Sequence, residues 1–419
     1  MEKEIKARFL KPVLKKKIKS KFGRIIVLTG ARQTGKTTLA KKCFPDFRYI
    51  SIEDPMLRGQ YAQITAGQWK SMYPEAILDE VQKEPILIEN IKSVYDQFDD
   101  TSYLLLGSSQ ILLLEKVKES LAGRCIIYDL YPLTLPEMIT GSWDEPVKPS
   151  FFQKYIERNE IPDLPPSFNL HPGHPEAVQK FNYYLQFGGY PAIIEESTND
   201  EERREWLYNY VRTYLERDVR DLADFRNLEP FVKTQHTASL LTGKLVNYSL
   251  LAKEAGITPN TAQRFLRYLE LSYQAILLRP WYRNKLKRLS KSPKLHYIDP
   301  GIQRAILKKQ GAVSGNEYES AVVAEIFKQS KYVQFNGDLY HLRTSDGRET
   351  DLLLELENGY IAIEIKMTSR VNIADARHLR GLEDILDKPL LQSFILSNDM
   401  SVTTLSPKIL AMPAAMFLT

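Results

Sequence analysis

An apolar strand that runs directly into a glycine-rich loop constrains the fold of this chain more than any other feature. Residues 24–38 read R-I-I-V-L-T-G-A-R-Q-T-G-K-T-T, which places Gly30, Gly35, Lys36 and Thr37 in the pattern G-x-x-x-x-G-K-[ST]. Glycines let backbone N–H groups surround phosphate oxygens, and the start of the following helix adds partial positive charge. The alternative is a glycine turn before an ordinary helix. The sequence therefore predicts a phosphate-binding loop in an α/β domain.

The pattern also assigns roles to single side chains of the loop. Lys36 is predicted to contact the β- and γ-phosphates of ATP, and the Thr37 hydroxyl is predicted to bind Mg²⁺. The predicted cofactors are therefore ATP and Mg²⁺. We expect the nucleotide to contact seven loop residues, Gly30, Gln33, Thr34, Gly35, Lys36, Thr37 and Thr38.

A second apolar strand ends in two carboxylates. Ala76–Leu78 runs into Asp79 and Glu80. Asp79 is predicted to bind the metal ion, and Glu80 to orient or deprotonate the attacking water. The alternative is a strand that ends in a solvated acidic turn. With the loop upstream, the pair predicts ATP hydrolysis rather than binding alone.

Two further polar positions complete the predicted nucleotide site. Ser108 follows the apolar run Tyr103–Gly107, where it would sense the γ-phosphate or form a structural turn. Arg124 is the first candidate for an arginine supplied to the nucleotide of a neighbouring subunit, with Arg217 and Arg220 as further candidates. A surface arginine in a salt bridge is the alternative for Arg124.

The first third of the chain alternates short apolar strands with helical segments, as a parallel α/β sheet requires. The chain has 419 residues, which favours several domains, and its two cysteines exclude a disulfide framework. The predicted strands are Ile25–Thr29, Tyr49–Ile52, Ala76–Leu78, Tyr103–Gly107 and Cys125–Leu130. Seven prolines between Glu145 and Glu176 indicate an irregular insertion or loop.

Together these motifs resemble predicted ATPases of the AAA+ superfamily from archaea and bacteria that carry a C-terminal domain of unknown function. The similar segments are G-A-R-Q-T-G-K-T-T, Y-I-S-I-E-D-P, I-L-D-E-V-Q, L-L-L-G-S-S, S-L-A-G-R before Cys125, F-G-G-Y-P at Phe187–Pro191, Y-L-E-R-D at Tyr214–Asp218 and S-P-K-L-H-Y-I-D at Ser292–Asp299. The resemblance implies an AAA+ core, a winged-helix-like module and a C-terminal nuclease-like fold. It also implies a ring of subunits, by default hexameric.

The segment Tyr248–Leu271 is typical of a helix-turn-helix. A first helix reaches a glycine turn, and Thr258 then caps a second helix whose polar positions are Thr261, Gln263, Arg264 and Arg267. A basic hairpin with Trp281 and Tyr282 would form a wing that touches phosphates and stacks on a base or sugar. The alternative is a helical connector that docks another protein.

The C-terminal region resembles the PD-(D/E)xK nuclease arrangement. Asp351 opens one strand, and Glu364 and Lys366 share one face of the next strand. The two carboxylates are predicted to hold Mg²⁺, Lys366 to lower the pKa of an attacking water, and Glu319 to complete the site. An inert scaffold that keeps this shape is the alternative.

These observations divide the chain into six regions. They are a basic extension (1–22), an AAA+ core (23–142), a proline-rich insertion (143–176), a helical lid or linker (177–235), a winged-helix-like module (236–292) and a restriction-endonuclease-like α/β domain (293–419). Two basic runs, Lys3–Arg24 and Arg279–Lys294, indicate either a surface that binds a polyanion or an ordinary solvated surface.

The leading hypothesis is an AAA+ ATPase that acts on duplex, branched or broken DNA, with a C-terminal domain that binds or cleaves it. One alternative is a nucleotide-dependent switch or scaffold whose nuclease-like domain binds protein. The other is a nuclease regulated by ATP. The sequence shows neither a membrane-spanning apolar run nor a secretory signal, so we expect a cytoplasmic protein.

Overall fold

The first sheet contains five parallel strands. In the computed structural model, residues 5–107, 117, 119–161, 164–215, 227–333, 335–344 and 347–419 are described. The strands are β1 (Ile25–Thr29), β2 (Arg48–Ser51), β3 (Glu75–Asp79), β4 (Ser102–Leu106) and β5 (Cys125–Asp129), in the order β2-β3-β4-β1-β5. Each predicted strand end lies within one residue of the observed one.

Helices cover both faces of this sheet. They are α1 (Leu10–Lys17), α2 (Lys36–Cys43), α3 (Pro55–Ala62), α4 (Ala66–Met72) and α5 (Ile86–Gln97), whereas α6 (Leu135–Ile139) packs in the C-terminal core. Ile25 and Val27 pack in one core with α4 and α5, whereas Ile26 and Leu28 pack in another with α1 and α2. Since successive side chains of β1 enter opposite cores, its first four residues are all apolar.

A second sheet contains strands from residues 244–413. Its strands are β6 (Lys244–Leu245), β7 (Ala275–Pro280), β8 (Lys294–Tyr297), β9 (Asp338–Arg343), β10 (Glu349–Glu355), β11 (Tyr360–Lys366), β12 (Leu390–Ser397), β13 (Thr403–Ser406) and β14 (Ile409–Pro413). Their order is β13-β14-β12-β11-β10-β9-β7-β8-β6. The parallel pairing of Arg279 with Tyr340 and of Pro280 with His341 connects β7 to β9.

Ten further helices accompany this sheet within the described residues. They are α7 (Phe151–Arg158), α8 (His174–Phe187), α9 (Asp200–Tyr210), α10 (Glu229–Leu240), α11 (Tyr248–Ala255), α12 (Pro259–Leu271), α13 (Lys285–Ser290), α14 (Pro300–Ile306), α15 (Gly315–Ser330) and α16 (Ala414–Leu418). Shorter turns are the 3₁₀ segments Val81–Lys83, Phe168–Leu170, Pro191–Ile193, Ile373–His378 and Leu382–Asp384, and the π-helical segment Val211–Leu215. None of the helices in the described part of the chain is long and apolar enough to cross a bilayer.

The proline-rich region departs from the sequence prediction. Residues within it form α7, which begins with a capping box at Ser150. Phe151 and Tyr155 pack against Phe394, and Phe152 packs against Phe417. The expectation of an irregular loop was therefore wrong for α7, because its prolines flank the helix and its aromatic side chains are buried in the C-terminal core.

Candidate functional site

The glycine-rich loop lies between β1 and α2, as the sequence predicts. Its backbone turns through positive φ angles of 144° at Gly30, 62° at Gln33 and 93° at Gly35. A Cβ atom on Gly30 would lie 2.2 Å from the carbonyl oxygen of Leu130, so a side chain would clash there. Loops that combine right- and left-handed residues present successive N–H groups to an anion. The conformation of the loop therefore suits phosphate binding.

Lys36 lies across the inside of this loop. Its side chain is 8% exposed, and its ammonium group donates hydrogen bonds of 2.8 Å to the carbonyl oxygens of Gly30 and Ala31. Both acceptors are neutral backbone groups of the loop itself. The lysine charge is thus held at the point where phosphate groups would enter.

Thr37 and Asp79 meet where α2 begins and β3 ends. The Thr37 hydroxyl donates a hydrogen bond of 2.7 Å to Oδ2 of Asp79, and the Tyr49 hydroxyl donates one of 2.9 Å to the same oxygen. Burial and then the Asp79 charge raise the pKa of Tyr49, so its hydroxyl stays protonated. A hydroxyl and a carboxylate are oxygen ligands of the kind that Mg²⁺ prefers. The two residues therefore fit the predicted metal ion.

Glu80 occupies the position after Asp79 in a left-handed conformation, with φ 58° and ψ 38°. Nε2 of Gln82 donates a hydrogen bond of 2.6 Å to Oε2 of Glu80. The carboxylate lines a cleft of about 560 Å³ together with Lys36 and Asp79. The turn therefore directs Glu80 into the cleft that contains the loop.

A second cavity lies on the other side of the same loop. It has a volume of about 210 Å³ and shares Gln33, Gly35 and Thr38 with the first cleft. Its remaining walls come from four parts of the chain. They are the N-terminal segment (Ile5, Lys6 and Arg8), Thr34 of the loop, the residues Leu39, Leu133 and Trp143, and the segment with Pro191, Ala192, Ile194 and Glu195. The loop therefore separates a polar cleft from a more apolar cavity.

Arg8 connects the N-terminal segment to the glycine-rich loop. The sequence did not indicate this contact. It is 5% exposed and donates hydrogen bonds to the carbonyl oxygens of Thr34 at 3.0 Å and Tyr131 at 2.6 Å. It also pairs with the buried Glu137 at 3.2 Å. In the sequence Arg8 is one of ten basic residues in a run, so no pattern distinguishes it.

Arg124 lies far from the loop of its own chain. It precedes β5, whereas the loop follows β1, and parallel strands place these two points at opposite edges of the sheet. Its guanidinium forms two hydrogen bonds with Asp96, of 2.7 and 3.1 Å. The role of Arg124 at a neighbouring subunit stays a prediction. Ser108, Arg217 and Arg220 lie outside the described residues.

The predicted helix pair is present as α11 and α12. Gly256 ends the first helix with φ 67°, and the Thr258 hydroxyl caps the second by accepting a hydrogen bond from the Thr261 N–H group. The side chains of Gln263, Arg264 and Arg267 are exposed, and Thr261 is half-buried. Arg267 pairs with Glu270 in its own helix. One face of α12 thus remains polar and accessible.

β7 and β8 pair antiparallel, so the basic segment between them connects a hairpin as the sequence predicts, but Trp281 does not lie on the surface of this hairpin. Trp281 is 4% exposed, and its indole N–H donates a hydrogen bond of 3.0 Å to the Tyr360 hydroxyl. Arg288, on the short helix α13, pairs with Glu355 at 2.5 Å. The prediction that Trp281 stacks on a base was wrong, because its ring fills the core beneath β9 to β11.

The C-terminal carboxylates come together as the sequence predicts. Asp351 on β10 accepts a hydrogen bond of 2.9 Å from the Ile365 N–H group on β11. Lys366 pairs with Glu364 at 2.7 Å. The ammonium of Lys294 contacts both Asp351 and Glu319, which lies on α15. The sequence did not indicate this role of Lys294.

Lys294 occupies the centre of this cluster. It is 3% exposed, and its Nζ lies 2.7 Å from Glu319, 3.1 Å from Asp351 and 3.3 Å from Glu349. Within the described residues, no group of three or more His, Cys, Asp and Glu side chains is arranged to hold a metal ion. Because the ammonium of Lys294 lies between Asp351 and Glu319, the arrangement around Asp351 does not fit the predicted Mg²⁺.

Comparison with known proteins agrees with the first part of this description. Residues 23–139 match the family described as "AAA domain". Residues 178–312 and 314–417 match two families described as "Domain of unknown function", DUF8612 and DUF4143. The chain therefore carries a P-loop ATPase domain of the AAA type, followed by two regions whose families carry no functional description.

Relatives span most of the chain. An uncharacterized protein of Mycobacterium tuberculosis is 26% identical over 422 residues, which cover 94% of this chain and 81% of the relative. An uncharacterized protein of Methanocaldococcus jannaschii is 26% identical over 340 residues, or 74% of this chain and 68% of the relative. Among solved structures, the Walker-type ATPase of Pyrococcus abyssi is 13% identical with a TM-score of 0.46, covering 73% of this chain and 99% of its own.

Proposed function

We propose that this chain binds Mg²⁺ and ATP at the loop between β1 and α2 and hydrolyses the nucleotide there. The observation that carries the proposal is the hydrogen bond of 2.7 Å between Thr37 and Asp79, beside Lys36 and Glu80. When bound, Mg²⁺ supplies positive charge to the β- and γ-phosphates. The side chains of the cleft then orient the γ-phosphate and the attacking water.

Each polar side chain of the cleft has one role in this proposal. Lys36 exchanges its two carbonyl acceptors for phosphate oxygens, which are stronger acceptors because they are charged. Glu80 accepts the proton of the attacking water while Gln82 fixes its second oxygen. The base and sugar occupy the more apolar cavity beside Ala192, since nucleoside sites are mostly apolar with few polar groups.

Phosphate release from ATP tests this proposal. Lys36→Ala and Glu80→Gln are expected to lower the turnover at least about 100-fold with the fold retained in circular dichroism. Lys42→Ala is the matched control, because Lys42 is an exposed lysine on the same helix. Unchanged hydrolysis in folded Lys36→Ala would refute the assignment.

The proposal includes duplex or branched DNA as the partner of the exposed face of α12. Its support is the position of Gln263, Arg264 and Arg267 on the helix that follows a capped turn. Binding to labelled duplex and four-way DNA is expected to fall steeply between 50 and 200 mM salt. It should weaken about tenfold in Arg264→Ala but not in Arg370→Ala, which removes an exposed arginine from a distant loop. Equal losses in both variants would argue against this face.

Self-association, by default into a hexameric ring, is a further part of the proposal. The support for self-association is the position of Arg124. This residue lies at the edge of the first sheet opposite the glycine-rich loop of the same chain. Lys36→Ala and Arg124→Ala are each expected to be inactive, and their mixture is expected to recover part of the turnover. A mixture that stays inactive while its subunits associate would rule out Arg124 as the shared residue.

A second candidate function is a nucleotide-dependent switch or scaffold with an inert C-terminal domain. The observation that favours it is the ammonium of Lys294 among the C-terminal carboxylates. The two candidates differ in whether DNA stimulates ATP turnover. Stimulation at least severalfold by duplex or four-way DNA supports the first, and turnover independent of DNA supports the second.

A further inference from the structure

The acidic cluster of the C-terminal region has an internal cation. An ammonium group has three N–H donors, and three carboxylates lie within 3.3 Å of Nζ of Lys294, namely those of Glu319, Asp351 and Glu349. Nζ donates hydrogen bonds to Glu349 and Asp351 and forms an ion pair with Glu319. A divalent ion placed between Glu319 and Asp351 would have to share its ligands with this ammonium.

Two lysines lie directly against the carboxylates of this cluster. Nζ of Lys294 contacts Glu319, Glu349 and Asp351, and Nζ of Lys366 lies 2.7 Å from Glu364. Each of these four carboxylates therefore has an ammonium group within 3.3 Å without an added ion.

Lys294 and Asp351 lie on strands of the same sheet. Lys294 opens β8, where it pairs with Leu278 of β7 and Leu245 of β6. β7 in turn continues through β9 to β10, which carries Asp351. The lysine and its carboxylate partner therefore belong to one sheet, and no hinge separates them within its described strands.

We propose that Lys294 takes the place of the divalent cation in the C-terminal domain, which is therefore not a metal-dependent nuclease. This inference is independent of the ATPase proposal, because it concerns other residues and another part of the chain. It explains why the carboxylates keep a nuclease-like arrangement that does not fit a metal ion.

Binding of Mn²⁺ to the full-length, nucleotide-free protein tests the inference, measured as loss of the electron paramagnetic resonance signal of free Mn²⁺. Wild type and Asp351→Asn are expected to bind equal amounts. Lys294→Met is expected to gain one ion per chain, and Lys294→Met/Asp351→Asn is expected to lose it again. Lys388→Met is the matched control, since it removes a half-buried lysine that pairs with Glu355 outside the cluster.

Two results would overturn the inference. One is a Mn²⁺ ion in the wild type that disappears in Asp351→Asn, and the other is a folded Lys294→Met that gains no ion. The first comparison does not need Lys294→Met to fold, so the inference can fail even if that variant is unstable. Circular dichroism establishes whether each variant is folded.

Discussion

Lys36 and Lys294, two of the buried lysines in the described part of the chain, donate hydrogen bonds to different kinds of acceptor. Lys36 donates its hydrogen bonds to the neutral carbonyl oxygens of Gly30 and Ala31, at the wall of an open cleft. Lys294 lies among the carboxylates of Glu319, Glu349 and Asp351. Since ionic acceptors bind an ammonium more strongly than neutral ones, Lys36 can exchange its carbonyl acceptors for a charged ligand more readily than Lys294 can exchange its carboxylates.

The comparison shows how the same residue type serves binding in one region and structure in the other. A lysine that must meet an incoming phosphate needs partners weaker than the phosphate. A lysine that stabilises a core needs partners that compensate for the loss of water around its charge. The acceptors around a lysine therefore indicate its role more directly than its burial, which is similar here at 8% and 3% exposure.

The largest expected effect is a difference in the free energy of unfolding between variants of the two lysines. Lys294→Ala leaves buried carboxylates without their cation and is expected to lower the free energy of unfolding by about 3–5 kcal/mol. Lys36→Ala removes hydrogen bonds to backbone carbonyls and is expected to cost about 1 kcal/mol. Urea denaturation at pH 7 measures both changes. Equal losses would show that the acceptors do not distinguish the two lysines.

A smaller effect comes from a neutral histidine near Lys294. Burial, followed by the Lys294 charge, lowers the pKa of His341 from 6.5 to about 4. Because the folded pKa lies below the unfolded value, this contribution to stability is complete above pH 6.5 and is lost as the pH falls towards 4. Between pH 7 and 4.5 the loss attributable to His341 is expected to be about 2–3 kcal/mol.

Urea denaturation of wild type and His341→Gln at the two pH values isolates this contribution. The variant is expected to lose less stability on acidification, because glutamine does not gain a proton. Parallel losses in the two proteins would contradict a buried neutral His341.

At the loop, the hydroxyl of Thr37 is expected to matter more than its methyl group. Thr37→Ala should lower ATP turnover about 30-fold, or ~2 kcal/mol in the barrier, whereas Thr37→Ser should keep most of it. Phosphate release at saturating Mg²⁺ and ATP measures both. If serine and alanine behave alike, the bond to Asp79 marks a structural contact and not a metal site.

The smallest expected effect concerns the apolar cavity beside the loop. Ala192→Trp should fill part of the cavity and raise the KM for ATP about tenfold, or ~1.4 kcal/mol, with little change in kcat. Ala374→Trp, at an exposed position of the C-terminal region, is the matched control. An unchanged KM in Ala192→Trp would place the nucleoside elsewhere.

The first sheet and its loop could be predicted from sequence because their signals are local. The strand before Gly30, the G-x-x-x-x-G-K-T pattern and the acidic end of β3 each lie within a few consecutive residues. The hydrogen bond between Thr37 and Asp79 follows, since parallel strands bring their C-terminal ends to one edge. Such predictions need only the hydrophobic periodicity of each segment and the handedness of the connections between parallel strands.

The residues that sequence reasoning missed or misassigned depend on contacts between distant segments. Arg8 meets Thr34 and Glu137, and Lys294 meets Asp351, through packing that no local pattern encodes. Trp281 belongs to a basic run typical of a nucleic-acid surface, yet the pairing of β7 with β9 buries its ring. Charge runs in sequence therefore do not separate surface lysines and arginines from buried ones.

The pairing of β7 with β9 also determines how this protein can be dissected. The two regions of unknown function meet near residue 313, but the sheet runs through both, with β7 in the first and β9 in the second. A chain cut at that point would leave β7 and β9 as exposed edges, which invite aggregation between molecules. Because the two regions share one sheet, we expect each to require the other for expression as a folded protein.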